Sequence, residues 1–187
     1  MTPPASVSRR RLVKLGTGLL MAGASPMVLS ATFQSRSQSR DLSLDHTHTR
    51  EQIDLVYAVG RNYVPSAIDH LDHFLRDHYT GDIGRMDPVL YDLMHRIRNE
   101  LKARRSYEII SGYRSPRTNE RLRVRGSGGV AKRSLHMDGK AIDLRIPGVP
   151  LAELRDAALS LKAGGVGYYP GSQFVHIDTG KVRGWNG

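Results

Sequence analysis

The sequence predicts an α+β fold: a single compact domain with a small, mainly antiparallel sheet and helices packed on one side of it. Two kinds of pattern support this prediction. Short segments in which apolar and polar residues alternate are typical of half-buried strands, and segments with apolar residues at helical spacing lie before and between them. The chain has 187 residues and no internal repeat, so these elements belong to one domain with one core.

Six segments have the alternation or the composition of strands. The first two, residues 42–48 and 52–59, lie on either side of a polar turn and therefore predict an N-terminal hairpin. The other four are residues 106–110, 141–146, 165–169 and 174–178.

Two helices are predicted between the hairpin and the third strand. Residues 66–79 place apolar side chains at helical spacing, and Ser66 with Asp69 resembles a capping box. The second helix begins at Asp87 and Pro88, because proline suits the first turn of a helix, and its apolar stripe predicts a face that packs on the core.

A third helix is predicted at residues 150–163, and Gly164 and Gly165 suit a left-handed cap at its end. Residues 121–133 are basic and rich in glycine, which predicts a mobile loop. This segment lacks the glycine and lysine order of a P-loop, so we do not expect a nucleotide site there.

His136, Asp143 and His176 are candidate ligands of a catalytic metal. Asp143 and His176 each lie on the strand face opposite the apolar side chains, so adjacent pairing of the two strands would bring them together. His136 precedes the first of these strands, and Gly139 lets the chain turn between them. Two imidazoles and a carboxylate leave one position of a zinc ion open for water, as in hydrolases. The alternative is a surface histidine with an ion-paired aspartate.

Two other groups of histidines are rival metal sites. His46 and His48 alternate in the predicted hairpin, but no third ligand is near them in the sequence. His70 and His73 lie three residues apart with Asp77 nearby, but their charged neighbours favour a solvated helix face. The sequence therefore favours the site on the two strands.

From Leu42 to Trp185 the chain resembles the YcbK-like murein endopeptidases, which belong to the zinc D,D-peptidase superfamily together with VanX-type dipeptidases and the Hedgehog fold. The segments that carry the resemblance are ISGYRSPRTNE (110–120), GVAKRSLHMDGKAIDLRI (129–146), AALSLKAGGVGYYP (157–170) and FVHIDTG (174–180), followed by Arg183 and Trp185. The resemblance implies a zinc enzyme that hydrolyses the peptide cross-links of peptidoglycan, with its zinc site on the sheet.

The resemblance also assigns the metal ligands. The superfamily pattern SxHxxGxAxD supplies a histidine and an aspartate, which are His136 and Asp143 in this chain, and the downstream ligand is His176. It implies Zn²⁺ and no further cofactor.

Arg114 follows a predicted strand, where a guanidinium can hold a substrate carboxylate or stabilise an oxyanion. The resemblance supports this role, because related zinc peptidases use an arginine in the corresponding SGYR segment. We expect Ser111, Tyr113, Tyr168 and Tyr169 to line the same cleft.

One departure from the family pattern bears on the mechanism. Many superfamily members have a catalytic glutamate three residues before the last ligand histidine, and this chain has Gln173 there. We expect Asp178, on the same strand face as His176, to act as the general base. Asp138, which is close in sequence to His136, is the second candidate. The alternative role for Asp178 is to orient an imidazole.

The first thirty residues predict export. Residues 8–14, SRRRLVK, match the twin-arginine pattern, and a modestly apolar run follows at residues 15–29. That run is short and rich in Gly, Ala and Ser, so we expect no stable membrane span, with retention as an uncleaved anchor as the alternative. We expect a signal at residues 1–30, a polar linker at 31–41 and a catalytic domain at 42–187, delivered to the periplasm by the twin-arginine export machinery.

The composition agrees with an exported enzyme. The chain has no cysteine, so its metal ligands must be nitrogen or oxygen atoms. The net charge is +10, and residues 1–30 contain four cationic residues and no acidic one, which leaves +6 for the remainder. A basic exported domain suits an anionic wall polymer. We expect no nucleic-acid partner, because that function would require the export signal to fail.

The sequence thus predicts a periplasmic zinc endopeptidase that cleaves cross-linked stem peptides of peptidoglycan. Arg114 and Asp178 are its predicted catalytic residues. The alternative is a zinc-containing peptidoglycan-binding module with impaired catalysis, because Gln173 stands where a base is expected.

Overall fold

The computed structural model describes residues 39–125 and 130–187, so the predicted signal and most of the predicted linker lie outside the described residues. The strands in these ranges are β1 (Ser39–His46), β2 (Gln52–Val59), β3 (Asn62–Tyr63), β4 (Tyr107–Ser111), β5 (Ala141–Arg145), β6 (Gly165–Tyr169), β7 (Phe174–Asp178) and β8 (Arg183–Asn186). The α-helices are α1 (Pro65–Phe74), α2 (Val89–Glu100), α3 (Pro116–Arg125) and α4 (Leu151–Ser160). A short 3-10 helix, Leu135–Asp138, precedes β5.

The eight described strands form one sheet in the order β3-β2-β1-β4-β5-β7-β6-β8. β1 is parallel to β4 and β6 is parallel to β8, whereas the other neighbours are antiparallel.

The predicted α+β class is confirmed, but the sheet is larger and more mixed than the small, mainly antiparallel one that we expected. The prediction missed β3 and β8, because short edge strands carry little alternation. β1 and β4 can be parallel because two helices lie in the connection between them.

The apolar side chains of the sheet and of three helices form one core. The strands contribute Leu42, Leu44, Ile142, Leu144, Val175 and Ile177, and the helices contribute Leu71, Leu90, Met94, Ile97 and Leu154. Each of these strand residues alternates with a side chain that points to the opposite face of the sheet. That opposite face, along β5 and β7, is where polar side chains can converge.

β1 includes residues 39–41, which the sequence predicts to be part of the polar linker. Arg40 forms an ion pair with Asp92 of α2, and Arg98 of the same helix donates to the Asp41 carboxylate at 2.6 Å. The segment has the composition of a linker because its side chains anchor the strand through charges instead of apolar contacts.

α1 is shorter than predicted at its C-terminal end. It begins at Pro65, and the N-cap residue Val64 makes no side-chain hydrogen bond, so the predicted capping box does not form. It ends at Phe74 because the following residues form a turn, in which the Asp77 carboxylate accepts a hydrogen bond from the Tyr79 backbone N–H at 2.9 Å.

α3 was not predicted, and residues 121–125 belong to it instead of to a mobile loop. Its composition is strongly polar and its buried residues are Thr118 and Asn119, so no apolar stripe marks it in the sequence. None of the helices in the described ranges combines the length and apolarity needed to cross a bilayer.

α4 ends without the predicted glycine cap. Lys162, with a φ of 46°, takes the left-handed conformation there. Gly164 is required for a different reason, because a Cβ at this position would lie 1.7 Å from the backbone oxygen of Asp178.

The turn after β4 packs closely on the end of α1. The backbone N–H of Tyr113 donates to the Leu75 carbonyl at 2.7 Å, and a Cβ on Gly112 would lie 2.5 Å from that same oxygen. Only glycine permits this approach, which fixes the position of the residues that follow the strand.

We predict that Gly112→Ala lowers the free energy of unfolding by about 1–3 kcal/mol, because the new methyl group must push two backbone segments apart. Chemical denaturation of the variant and the wild type measures this difference. Gly171→Ala is the matched control, since a Cβ there has open space around it. Equal stability losses in the two variants would contradict the close-approach explanation.

Candidate metal centre

The pairing of β5 with β7 brings two predicted ligands together. Asp143 lies directly opposite His176 in the antiparallel register, and both side chains point away from the core. On the other side of β5, an irregularity in β4 between Ile109 and Ser111 places Ser111 opposite Asp143. Because paired residues share a face, Ser111 reaches the same surface as the ligands.

His136 reaches the two strands from the 3-10 helix before β5. Gly139 ends this helix with a φ of 66°, and a Cβ there would lie 1.9 Å from the Arg85 carbonyl oxygen, so glycine is required. The His136 Nδ1 lies 2.8 Å from the carbonyl oxygen of Gly112. Because a carbonyl only accepts, Nδ1 carries the proton and the Nε2 lone pair is free for a metal.

Three ligand atoms converge on one point. The His136 Nε2 is 3.2 Å from the Asp143 Oδ1 and 3.2 Å from the His176 Nδ1, and the last two atoms are 2.8 Å apart. A tetrahedral ion such as zinc, with bonds of about 2.0–2.2 Å, needs ligand atoms about 3.3 Å apart. The cluster, in which His136 and Asp143 are buried and His176 is partly exposed, therefore fits such an ion after a small expansion.

The charges of the cluster also suit a cation. Burial lowers the pKa of His136, so its imidazole is neutral and able to bind a metal. Burial alone would raise the pKa of Asp143, but the two imidazoles outweigh it and hold that pKa far below the usual range. Burial likewise opposes the charge on His176, yet hydrogen bonds to Asp143 and Asp178 raise its pKa to about 9. Metal binding at His176 therefore releases a proton.

Asp178 does not face the point where the ligand atoms converge, contrary to the expectation for a general base. Its Oδ2 lies 3.2 Å from the His176 Nε2, on the opposite edge of the ring from Nδ1. The fully buried carboxylate also accepts hydrogen bonds from the backbone N–H groups of Gly165 and Gly180 and from both terminal nitrogens of Arg183. Burial would raise the pKa of Asp178, but these donors and His176 lower it far below its usual range.

Arg114 lies where the sequence analysis placed it, immediately after β4. Its Nη2 is 3.6 Å from the Asp143 Oδ2 and donates a long hydrogen bond of 3.4 Å to the Ser111 Oγ. Its backbone N–H donates to the carbonyl oxygen of His136. The guanidinium thus stands beside the cluster and is positioned to bind an anionic group there.

Asp77 fixes the Arg114 turn from the other side. Its buried carboxylate accepts hydrogen bonds from the backbone N–H and the hydroxyl of Ser115, at 2.9 and 2.7 Å. Burial by itself would raise the pKa of Asp77, but the hydrogen bonds from Ser115, Thr118 and Tyr79 outweigh it and lower the pKa to about 2. Nothing in the sequence pattern around Asp77 indicated this contact, because Ser115 lies 38 residues away.

A cleft of about 760 Å³ opens over the cluster. Tyr169, stacked on Phe174, and Trp185 form part of its wall, and the Trp185 indole donates to the Tyr169 hydroxyl at 2.9 Å. The Trp185 ring lies 5.2 Å from that of His176, with Gly167 beneath it, where a Cβ would lie 2.7 Å from the indole. In the sequence, Trp185 stands out only as part of the family resemblance.

The other expected lining residues differ in position. Ser111 and Tyr113 line a neighbouring pocket on the far side of Arg114. Tyr168 is on the core face of β6, under the Arg155 guanidinium, and is not part of the cleft. Asp138 is exposed and does not line it either.

The rival histidine groups do not form a metal site in the described ranges. His48 stacks on His78 with ring centroids 4.1 Å apart, and His46 contacts both, but their ligand atoms do not converge. His70 and His73 are exposed on α1. Among the described residues, the cluster on β5 and β7 is the one group whose ligand atoms converge.

A group of two imidazoles and one carboxylate, open to a wide cleft with an arginine beside it, is typical of the site of a metallohydrolase. The model of the family described as peptidoglycan L,D-endopeptidase MepK, the Peptidase_M15_2 family, matches residues 34–185. The chain belongs to this family, and the predicted resemblance to murein endopeptidases is confirmed.

Curated relatives cover nearly the whole chain. Peptidoglycan L,D-endopeptidase MepK of Escherichia coli is 46% identical over 178 residues, which is 95% of this chain and 97% of that protein. The Shigella flexneri protein of the same description has the same identity and coverage. The probable peptidoglycan L,D-endopeptidase MepK of Haemophilus influenzae is 40% identical over 94% of this chain and 91% of that protein. No solved structure matches the chain significantly.

We predict that the stability contributed by Asp77 disappears in acid. Its pKa in the folded chain is about 2, below that of an unfolded aspartate, so its ionised form stabilises the fold above about pH 4, and this contribution is lost as the pH falls towards 2. The difference in free energy of unfolding between the wild type and Asp77→Asn should narrow by about 1–2 kcal/mol between pH 6 and pH 2.

Urea denaturation at a series of pH values measures this difference. Asp69→Asn is the control, because Asp69 is exposed on α1. A gap between wild type and Asp77→Asn that stays constant with pH would contradict the prediction.

Proposed function

We propose that this chain is a zinc-dependent endopeptidase that hydrolyses L,D cross-links between the stem peptides of peptidoglycan. The observation that carries the proposal is the convergence of His136, Asp143 and His176 at the floor of an open cleft. The L,D specificity rests on the relatives, each of which is described as a peptidoglycan L,D-endopeptidase or a probable one.

The three ligands would hold the ion through two nitrogen atoms and one carboxylate oxygen. Zinc bound there supplies Lewis-acid chemistry, in which it polarises the scissile carbonyl and lowers the pKa of water to near neutrality. The Gly112 carbonyl keeps the proton of His136 on Nδ1. Arg114 binds a carboxylate of the substrate next to the scissile bond, since its guanidinium stands 3.6 Å from a ligand oxygen.

Asp178 orients His176 in this proposal and is not the general base. The Asp178 carboxylate lies at the Nε2 edge of the His176 ring, and both of its oxygens already accept hydrogen bonds. Both observations support an orienting role. Gln173 does not replace it, because its amide donates to the Pro170 carbonyl and it does not line the cleft. Asp143 is the one side-chain carboxylate among the described residues that line the cleft.

The proposed location is the periplasm, where peptidoglycan lies. The twin-arginine pattern at residues 8–14 supports export, and the net charge of +6 on the rest of the chain supports binding to an anionic wall polymer. The export machinery is then a transient partner of the folded domain.

Wild-type protein loaded with zinc should release L,D-linked muropeptides from purified sacculi, and a chelator should stop the release. Liquid chromatography with mass spectrometry identifies the products and therefore the bond that is cut. His176→Ala should lose zinc and cleavage together, because the metal would keep only two ligands.

His70→Ala, an exposed histidine on α1, is the matched control and should keep both properties. Zinc-loaded protein that binds sacculi without releasing any muropeptide would exclude the peptidase and favour the wall-binding module. Release of only D,D-linked products would overturn the L,D assignment.

Asp178→Asn distinguishes an orienting partner from a general base. If Asp178 orients His176, the variant should bind zinc about 10- to 100-fold more weakly, and excess zinc should restore most of the activity. Competition with a chromogenic chelator measures the affinity, and kinetics at saturating zinc measure kcat. Unchanged zinc affinity with a kcat that excess zinc cannot restore would show that Asp178 is the base.

A further inference from the structure

Positive charge is concentrated on α3 and on the short segment that leads to the 3-10 helix. Residues 116–125 and 130–133 contain six cationic side chains and a single acidic one, Glu120. The cationic residues are Arg117, Arg121, Arg123, Arg125, Lys132 and Arg133. We call these six side chains the α3 surface.

The α3 surface is almost free of internal ion pairs. Glu120 accepts two hydrogen bonds from Arg123, at 3.0 and 2.7 Å. The other five cations have no ion-pair partner among the residues that the structure describes. Arg121 packs its guanidinium over the Tyr79 ring, 4.2 Å from the centroid, whereas Arg117 and Arg125 are exposed.

This charge pattern is unfavourable for the helix by itself. Arg117, Arg121 and Arg125 are spaced by four residues, so they lie on one side of α3, where like charges at this spacing repel one another. The first turn contains Arg117 and no acidic residue, although the N-terminal end of a helix dipole favours an anion. An external anion bound along α3 would relieve both effects.

The α3 surface extends outward from the rim of the cleft. The Asn119 side chain of α3 donates to the Ala131 carbonyl at 3.1 Å, which holds the segment with Lys132 and Arg133 beside the helix. Arg133 lines the cleft over the candidate metal centre, whereas Lys132 does not. A polymer that enters the cleft from this side therefore passes over positive surface first.

Resting on the proposed function, we infer that the α3 surface docks the enzyme on the sacculus by binding carboxylates of stem peptides other than the pair being cleaved. Each stem peptide carries free carboxylates, so a sacculus presents many anions around every cross-link. The attraction is electrostatic and spread over several side chains. It raises the concentration of cross-links near the cleft and does not select the bond that is cut.

A lipid surface fits the α3 surface less well. Binding of a helix to a bilayer needs an apolar face beside the charges, and Val124 is the one large apolar side chain that α3 exposes. The carboxylates of the sacculus need no apolar contact.

A variant that removes charge outside the cleft tests the docking role. The α3 variant combines Arg117→Gln, Arg125→Gln and Lys132→Gln, and it retains Arg133 and every other residue that lines the cleft. A second variant, with Arg117→Lys and Arg125→Lys, keeps the charge and changes only the side-chain shape.

The matched control variant loses the same net charge elsewhere. It combines Arg96→Gln, Arg104→Gln and Arg105→Gln, three exposed residues that form no ion pair with another described residue and do not line the cleft. Arg104 and Arg105 precede β4, whereas α3 follows it, so they lie at the opposite end of that strand.

Co-sedimentation with purified sacculi in low salt measures docking without turnover. The α3 variant should bind about tenfold more weakly than the wild type, and the control and lysine variants should stay within about twofold of it. The difference between the wild type and the α3 variant should vanish in 1 M salt, where charges are screened beyond about 3 Å.

Turnover separates docking from catalysis. A soluble substrate that consists of one cross-linked pair of stem peptides offers no neighbouring stems. Zinc-loaded wild type and α3 variant should therefore have equal kcat/KM for it, whereas the α3 variant should digest dilute sacculi about tenfold more slowly.

Equal losses of sacculus binding in the α3 and control variants would overturn docking at α3, because net charge alone would then explain the binding. The inference also fails if the lysine variant binds as weakly as the α3 variant. It fails as well if the α3 variant keeps its binding to sacculi and loses binding only to phosphatidylglycerol vesicles. A wild type that binds sacculi but cleaves neither substrate would instead overturn the proposed function, while the binding comparison would still test the α3 surface.

Discussion

The antiparallel pairing of β5 with β7 is the interaction on which the site depends. It places Asp143 opposite His176 on one face while Ile142 and Val175 enter the core on the other. A shift of one residue in either strand would turn its ligand into the apolar layer and expose a core side chain. Burial of the core therefore fixes the geometry of the candidate metal centre, so the same alternation specifies the fold and the cluster.

His136 and His176 are each held at the nitrogen that faces away from the cluster. The Gly112 carbonyl holds His136, and the Asp178 carboxylate holds His176. The first partner is a neutral backbone group on the turn after β4, and the second is an anion supported by Arg183. An imidazole that is hydrogen-bonded to a carboxylate is a stronger donor to a metal than one bonded to a carbonyl. The His176 Nδ1 is therefore more basic than the His136 Nε2.

Local alternation was enough to predict β5, β7 and the shared sheet face of Asp143 and His176, because a period-two pattern can be recognised from neighbouring residues. The hydrogen-bond partners of Asp178 could not be predicted in that way. Its strand face was correct, but its direction is set by donors on Gly165 and Arg183, which the fold brings together. The polar helix α3 and the contact of Asp77 with Ser115 were missed for the same reason, since both depend on tertiary packing instead of local composition.

The position of Trp185 gives the chain an optical reporter. It is the single tryptophan of the sequence, and its ring lies 5.2 Å from the His176 ring. All indole fluorescence therefore originates beside the cluster. A paramagnetic ion such as Co²⁺ or Cu²⁺ at this distance quenches that emission, whereas zinc does not quench by this route. Metal exchange in the native chain can thus be followed without any label, because emission falls as Co²⁺ enters and recovers as zinc, which binds such a site more tightly than Co²⁺, displaces it.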